Sequence, residues 1–337
     1  MQPSIVALVL AAGKGTRMKS TQAKVLHEVF FQPMIHHVLL AVQEATIDRC
    51  AVIVGHQRQT VLGALGDFPI APVFQEEQLG TGHAVLCAET ACAQADEVMI
   101  LCGDTPLIQA ATLQAMIAAH REQRATLTLM TTLLDQPFGY GRILSNSRGQ
   151  LVGIVEEKDA TAEQRAIREI NAGIYLVERR FLFEALRQVG TDNSQGEVYL
   201  TDIVAIANRQ GRSVHRFVHS QAIDVLGVNS RIELAQAQAT LQNRRNQELM
   251  LAGVTLYAPD RALVAPDCSI GQDTIIEGSC RISGGTRVGA ACRIGSGSVL
   301  HGCTLGDGVS VGANSVLEHC DIPAGGIVAP LTYRCNG

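Results

Sequence analysis

The sequence predicts an α/β domain on a mostly parallel sheet, then a connecting helix, then a short left-handed parallel β-helix. Three observations predict this. Short Val/Ile/Leu runs alternate with helix-period segments as far as about residue 228. A proline-free stretch follows at 230–253, and beyond it aliphatic residues recur every six positions.

The apolar runs are Ile5–Leu10, Ala51–Val54, Val98–Leu101, Thr126–Thr132 and Gly173–Val177. Uninterrupted apolar strands separated by helices are buried on both faces, as in a parallel sheet covered by helices. Right-handed crossovers bring the C-terminal ends of such strands to one edge, where ligands bind. The glycine loops of this sequence fall at that edge, so residues 1–229 read as one ligand-binding domain. Residues 230–253 (SRIELAQAQATLQNRRNQELMLAG) hold few β-branched residues and end on Gly253, which makes one helix with a C-terminal stop.

In 254–330 the aliphatic series is Val264, Ile270, Ile276, Ile282, Val288, Ile294 and Leu300, then after a one-residue slip Leu305, Val311 and Leu317. Small residues stand four positions later, among them Cys268, Thr274, Cys280, Thr286, Cys292 and Ser298. In a hexapeptide prism the aliphatic fills the interior and the small residue fits the crowded turn. Ten hexads amount to three coils, roughly 15 Å of prism at ~4.8 Å per strand. The three cysteines at small-residue positions read as small buried hydrophobes. A triangular prism packs readily about a threefold axis, so a homotrimer is expected.

Composition narrows the function. A net charge of −5 with 4% aromatic residues and no Trp argues against nucleic-acid and anionic-membrane partners. The opening MQPSIVALVLAAGKG has no basic segment before its apolar run, so it reads as a buried strand rather than a signal peptide. Ten cysteines without a C-x-x-C pair or zinc spacing suit free thiols in the cytoplasm. No stretch approaches a membrane span.

The loop Leu10–Met18, LAAGKGTRM, follows the first strand directly. Gly13 and Gly15 let the backbone fold close to a ligand and point amides at phosphate oxygens. Lys14 and Arg17 add a point charge and a planar fork, and Lys24 follows. No GK[ST] appears, which excludes the Walker type of phosphate loop. His36–His37 and His215…His219 lie in ordinary helix or strand stretches and read as structural.

LAAGKGTRM followed by KVLHEV (24–29) resembles the signature of the nucleotide-sugar pyrophosphorylases. FQEEQLGTGHA (74–84), CGDTPLI (102–108), GYGRI (139–143), GIVEEKDAT (153–161), EINAGIY (169–175), QGEVYLTDI (195–203) and GVNSR (227–231) resemble one branch, N-acetylglucosamine-1-phosphate uridyltransferase. They occur in that family's order over about residues 4–325. The resemblance implies a Rossmann-like nucleotidyltransferase domain and substrates UTP and N-acetylglucosamine 1-phosphate.

It also implies roles. Leu10, Ala11, Ala12 and Gly13 would present backbone to uracil and ribose, with Lys14 and Gly15 toward phosphate. Gln75 would read the uracil edge, and Gly80 and Thr81 would close over the base. Asp104, set by Cys102, Gly103 and Pro106 at a strand end, would bind Mg²⁺ together with Asn229, and Mg²⁺ suits such oxygen ligands. Gly141, Glu156, Asn171 and Ala172 match sugar-binding positions. Arg17 and Lys24 would be the catalytic cations, since positioning and charge stabilisation suffice for in-line transfer. Ala172 stands where a hydroxyl residue is common, and Cys102 where a bulkier polar residue is frequent.

The family is usually bifunctional, with an acetyl-CoA site on later coils, and the residues of that site have no counterparts here. Uridylyl transfer without acetyl transfer is therefore expected. Three alternatives stay open: another sugar 1-phosphate as substrate, an acyltransferase using His301 or His319, and a silent nucleotide-sugar sensor. A sensor would be expected to have lost Arg17, Lys24 or Asp104.

Overall fold

The computed structural model describes residues 3–47, 49–66 and 68–336. The chain divides into two compact units, Met1–Glu233 and Leu234–Gly337. The helix α8, Arg231–Leu251, starts in the last turn of the first unit and ends two residues before Gly253. No described helix is long and apolar enough to cross a membrane.

The first unit opens with β1 (Ile5–Ala11) and a small hairpin, β2 (Glu28–Val29) and β3 (Gln32–Pro33). The strands β4 (Arg49–Val54), β5 (Ile70–Phe74), β6 (Glu97–Cys102), β7 (Leu127–Leu133), β8 (Arg142–Ser145), β9 (Leu151–Val155), β10 (Glu169–Glu178) and β11 (Val214–Val218) follow. Together with β1 they make a nine-stranded sheet in the order β11-β7-β10-β6-β1-β4-β5, with β8 on β10 and β9 on β8. The central strand β1 runs parallel to β4 and β6, and β4 to β5. One apolar run departs from the parallel expectation: β10, which contains Gly173–Val177, is antiparallel to both β6 and β7. An unbroken apolar run reports burial on both faces, not direction, so its sense was invisible in the sequence.

Alternate residues of β1 feed two cores. Val6 and Leu8 pack with α3 (Thr81–Cys87), α6 (Arg179–Leu186) and α7 (Asp202–Arg209). Ala7, Val9 and Ala11 pack with α1 (Met34–Glu44), α2 (Arg58–Leu65) and α4 (Ala110–Glu122). Such two-sided burial is worth about 1.5–3 kcal/mol for each large aliphatic side chain, which makes the sheet a rigid platform for the loops at its edge.

The second unit carries three parallel sheets of five, five and four short strands, the faces of a parallel β-helix. Ile276, Ile282, Ile294 and Leu300 are fully buried inside it, and Cys268, Cys280 and Cys292 are buried at the turns. With four to five strands stacked on each face, the prism is longer than the three coils expected. Two five-residue steps, Leu300 to Leu305 and Leu317 to Ile322, break the six-residue phase, and Leu256 and Val328 extend the interior at either end. All ten cysteines are free.

Candidate active site

The C-terminal ends of β1, β5 and β6 and the loops that follow them leave a cleft of about 560 Å³ on the first unit. Its lining includes Leu10, Ala11, Ala12, Gly13, Lys14, Gly15, Arg17, Lys24, Gln75, Gly80, Thr81, Cys102, Asp104 and Asn229. Gly103, Gly141, Glu156 and Asn171 lie outside that lining, although all four were expected at the site.

Local structure fixes each group. Gly15 has a φ of +60°, and a Cβ there would come within 2.5 Å of the Lys24 Cβ, so the loop folds flat onto the lysine stem. Arg17 sits on a 3-10 turn, Thr16–Met18, anchored by the buried Met18. Lys24 opens a second such turn, Lys24–Leu26, held down by the buried Val25 and Leu26. Asp104 follows the end of β6, where Gly103 N–H donates to the Leu10 carbonyl at 2.9 Å. Asn229 arrives from far along the chain because Val228 N–H donates to the Asp104 carbonyl at 2.8 Å. Gly227 has no side chain to obstruct this: a Cβ there would lie 3.2 Å from Asp104 Oδ1.

The four groups form one network. The Lys24 ammonium bonds the Asp104 carboxylate and also donates to Asn229 Oδ1 at 2.6 Å. Arg17 Nη2 donates to the same Oδ1 at 2.8 Å. Asn229 is oriented from behind: its Nδ2 donates to the Gly227 carbonyl at 2.9 Å, and its N–H donates to Glu233 Oε2 at 2.6 Å. Both oxygens therefore face cations.

Gln75 is buried, and its Nε2 donates to the Gly80 carbonyl at 3.1 Å and lies 3.2 Å from His83 Nδ1. That leaves Oε1 as the atom the amide can offer a ligand. Gly80, at φ +110°, starts α3, and a Cβ there would come within 2.6 Å of the Val198 carbonyl. Thr81 Oγ1 accepts from Leu200 N–H at 3.1 Å, so the 195–200 segment closes this wall.

Gly141, just before β8, Glu156, just after β9, and Asn171 on β10 gather beside the cleft. Asn171 N–H donates to the Gly141 carbonyl at 2.9 Å, and a Cβ on Gly141 would lie 3.5 Å from Glu156 Oε2. Burial pushes the Glu156 carboxyl up, while the Thr201 hydroxyl, donating at 3.0 Å, favours its charged form. Cys102 joins this group to the cleft, its Sγ 3.6 Å from the Gly173 carbonyl. Burial pushes the Cys102 thiol up to about 12, so it stays neutral. Ala172 is buried among core residues of the sheet with Ile174, so its side chain does not reach the cleft.

Glu197, Gln78, Thr16, Val25 and Ala84 also line the cleft and were not singled out in the sequence. Glu197 lay inside the string QGEVYLTDI, which gave a signal without a role. The Arg142–Glu157 pair at 2.8 Å, with Gly139 N–H donating to Glu157 at 3.1 Å, holds the GYGRI turn in place.

A cation-lined cleft at the carboxyl edge of such a sheet suits phosphate chemistry, and comparison with known proteins agrees. Residues 7–199 match the MobA-like NTP transferase domain, and residues 285–319 match the bacterial transferase hexapeptide (six repeats). A putative glucose-1-phosphate thymidylyltransferase from Bacillus anthracis, solved in complex with a sucrose, shares the fold with a TM-score of 0.58 and 19% identity. It covers 70% of this chain and 95% of its own. The protein is a nucleotidyltransferase of the class acting on sugar 1-phosphates, with a hexapeptide-repeat left-handed β-helix after the catalytic fold. The bifunctional protein GlmU of Desulfotalea psychrophila is 49% identical over 321 residues, 95% of each chain. That of Pelobacter propionicus is 43% identical over 336 residues, 99% of this chain and 73% of its own. The chain belongs to the GlmU family.

Proposed function

We propose that the chain transfers the uridylyl group of UTP to N-acetylglucosamine 1-phosphate, giving UDP-N-acetylglucosamine and pyrophosphate. The observation that carries this reading is the meeting of Arg17, Lys24, Asp104 and Asn229 in one hydrogen-bonded network at the sheet edge. A phosphate oxygen of the sugar phosphate attacks the α-phosphorus in line, and the bond from that phosphorus to the pyrophosphate oxygen breaks. Two anions must approach each other, and Lys24 and Arg17 offset their repulsion. The Asp104 carboxylate and Asn229 Oδ1 are hard oxygen donors that already face cations, the set Mg²⁺ prefers, and Mg²⁺ held there would neutralise phosphate charge.

Gln75 supports uracil as the base. Its free Oε1 accepts from the N3–H of uracil, whereas N3 of cytosine is itself an acceptor and would leave both groups unpaired. Gly141, Glu156 and Asn171, adjoining the cleft through Cys102, would hold the sugar, with Mg²⁺ and the two substrates the only other components needed. We place the reaction in the cytoplasm, where ten unpaired thiols stay reduced. The flat faces of the prism suit a homotrimer, and light scattering at several concentrations should give three times the chain mass; a concentration-independent monomer would reject that assembly.

The deciding experiment measures pyrophosphate release over a panel of nucleotides and sugar 1-phosphates, and thiol release from acetyl-CoA with glucosamine 1-phosphate. UTP with N-acetylglucosamine 1-phosphate should be the fastest pair, and no acetyl transfer is expected. Equal rates with CTP would overturn the base assignment, since cytosine offers no N3–H to Gln75 Oε1. Acetyl transfer at a comparable rate would move the reading toward the prism. There His301 Nδ1 lies 3.1 Å from Ser283 Oγ and its ring stacks edgewise on His319 at 5.3 Å, so both candidate bases contact neighbouring coils.

A further inference from the structure

Asn229 Oδ1 already accepts from Lys24 and from Arg17, and the Asp104 carboxylate is held by the same Lys24. A carbonyl oxygen has two lone pairs, so a third partner requires one of the two cations to leave. We propose that Lys24 guards this pair of oxygens against a divalent cation arriving without nucleotide. This rests on the reading of Asp104 and Asn229 as metal ligands. The ammonium and a metal ion compete for the same two oxygens, because Lys24 bridges both.

The geometry favours a guard that yields rather than a permanent plug. The lysine stem lies against Gly15, which fixes its root, and its side chain is only 14% exposed. The ammonium end is a compact charge on a flexible stem and needs only other anionic oxygens to be drawn away. A triphosphate supplies several, together with the metal it carries. Lys14, in the same cleft, has no described contact with either oxygen and provides a matched cation outside the bridge. Nucleotide and metal binding are thus coupled through one side chain: each strengthens the other because each is served by Lys24 leaving the oxygens.

The test is the binding of Mn²⁺ alone, without nucleotide, to the full chain, followed by the EPR signal of the free ion. A site that Lys24 fills nine-tenths of the time costs about tenfold in apparent affinity, so Lys24→Met should bind Mn²⁺ about tenfold more tightly than the unaltered protein. Lys24→Gln, which keeps a polar end, should also gain, and circular dichroism confirms that either variant is folded. Lys14→Met removes the same charge from the same cleft and should change affinity by less than about twofold. Asp104→Asn placed on Lys24→Met should abolish the gain. Unchanged Mn²⁺ affinity in both folded Lys24 variants overturns the guard while leaving the metal reading intact, provided that Asp104→Ala still removes turnover. An equal gain in Lys14→Met would also overturn it, since charge alone would then explain the effect. A gain that survives Asp104→Asn would overturn the metal assignment itself.

Discussion

A Cβ added to Gly13 in the cleft would meet nothing within 4 Å, whereas one added to Gly295 in the prism would come within 2.6 Å of the Ala313 amide nitrogen. The same residue type thus serves opposite ends. In the first unit, glycine at position 13 leaves the cleft open, while Gly15 and Gly80 make room there for Lys24 and Val198. In the second, it lets the next coil approach, and Gly271 and Gly306 face the following coil at 2.5 Å in the same way. A coil that meets its neighbour every seventeen or eighteen residues repeats its demands, so they appear as a period. A ligand loop makes its demand once, so it can be read only as a motif. The proposed function accordingly puts the chemistry in the first unit and leaves packing to the second, and that division can be broken by experiment.

The largest effect should come from Asp104→Ala, which should lower pyrophosphate release by roughly a thousandfold or more while the melting profile is kept. A variant that still turns over would remove the site from the first unit's sheet edge. Its counterpart is Ile294→Ala in the fully buried prism interior, which should cost about 2–5 kcal/mol in denaturant unfolding and spare the turnover of folded protein. A folded but inactive Ile294→Ala chain would show that packing and chemistry are not divided as described.

Acid should sharpen the contrast. His120 in α4 is buried, bonded to Thr128 Oγ1 at 2.8 Å and lying 3.6 Å from Glu97, and burial pushes its pKa down to about 4. The unfolded chain binds this proton near 6.5 and the folded chain not until about 4, so the contribution is whole above 6.5 and lost as pH falls toward 4. Unfolding of the first unit should ease by up to about 3 kcal/mol over that interval, at 1.36 kcal/mol per unit. Both prism histidines, His301 and His319, are exposed. Replacing His120 by Gln should flatten the slope, and an unchanged slope would assign it elsewhere. The smallest effect is expected of Gln75→Leu, which should reduce the preference for UTP over CTP by about tenfold, read from kcat/KM for each nucleotide.

Much of this was legible beforehand, for definite reasons. The interior of the prism showed through its period, and one wall of the cleft through the strings around Gly13, Gln75 and Gly80. Three things were hidden. The sense of β10 was hidden because burial patterns carry no direction. The true length of the prism was hidden because five-residue steps at Leu305 and Ile322 spoil the phase. The bridge from Lys24 to Asp104 and Asn229 spans up to 205 residues and depends on the Val228–Asp104 backbone bond, which no local pattern encodes. Glu156 and Asn171 were recognisable as a group, yet their place beside the cleft rather than in its lining followed only from the turn at Gly141.

The Glu233 carboxylate that receives the Asn229 N–H lies in the first turn of α8, at the last residue of the first unit. Anyone trimming the gene to a smaller enzyme would find the natural stopping point dictated by this contact. A fragment ending at Asn229 would keep every proposed site residue and still release the loop that presents one of them. One ending a turn or more beyond Glu233 would retain the anchor, and comparing the two would show how far a single carboxylate sets the minimal catalytic unit.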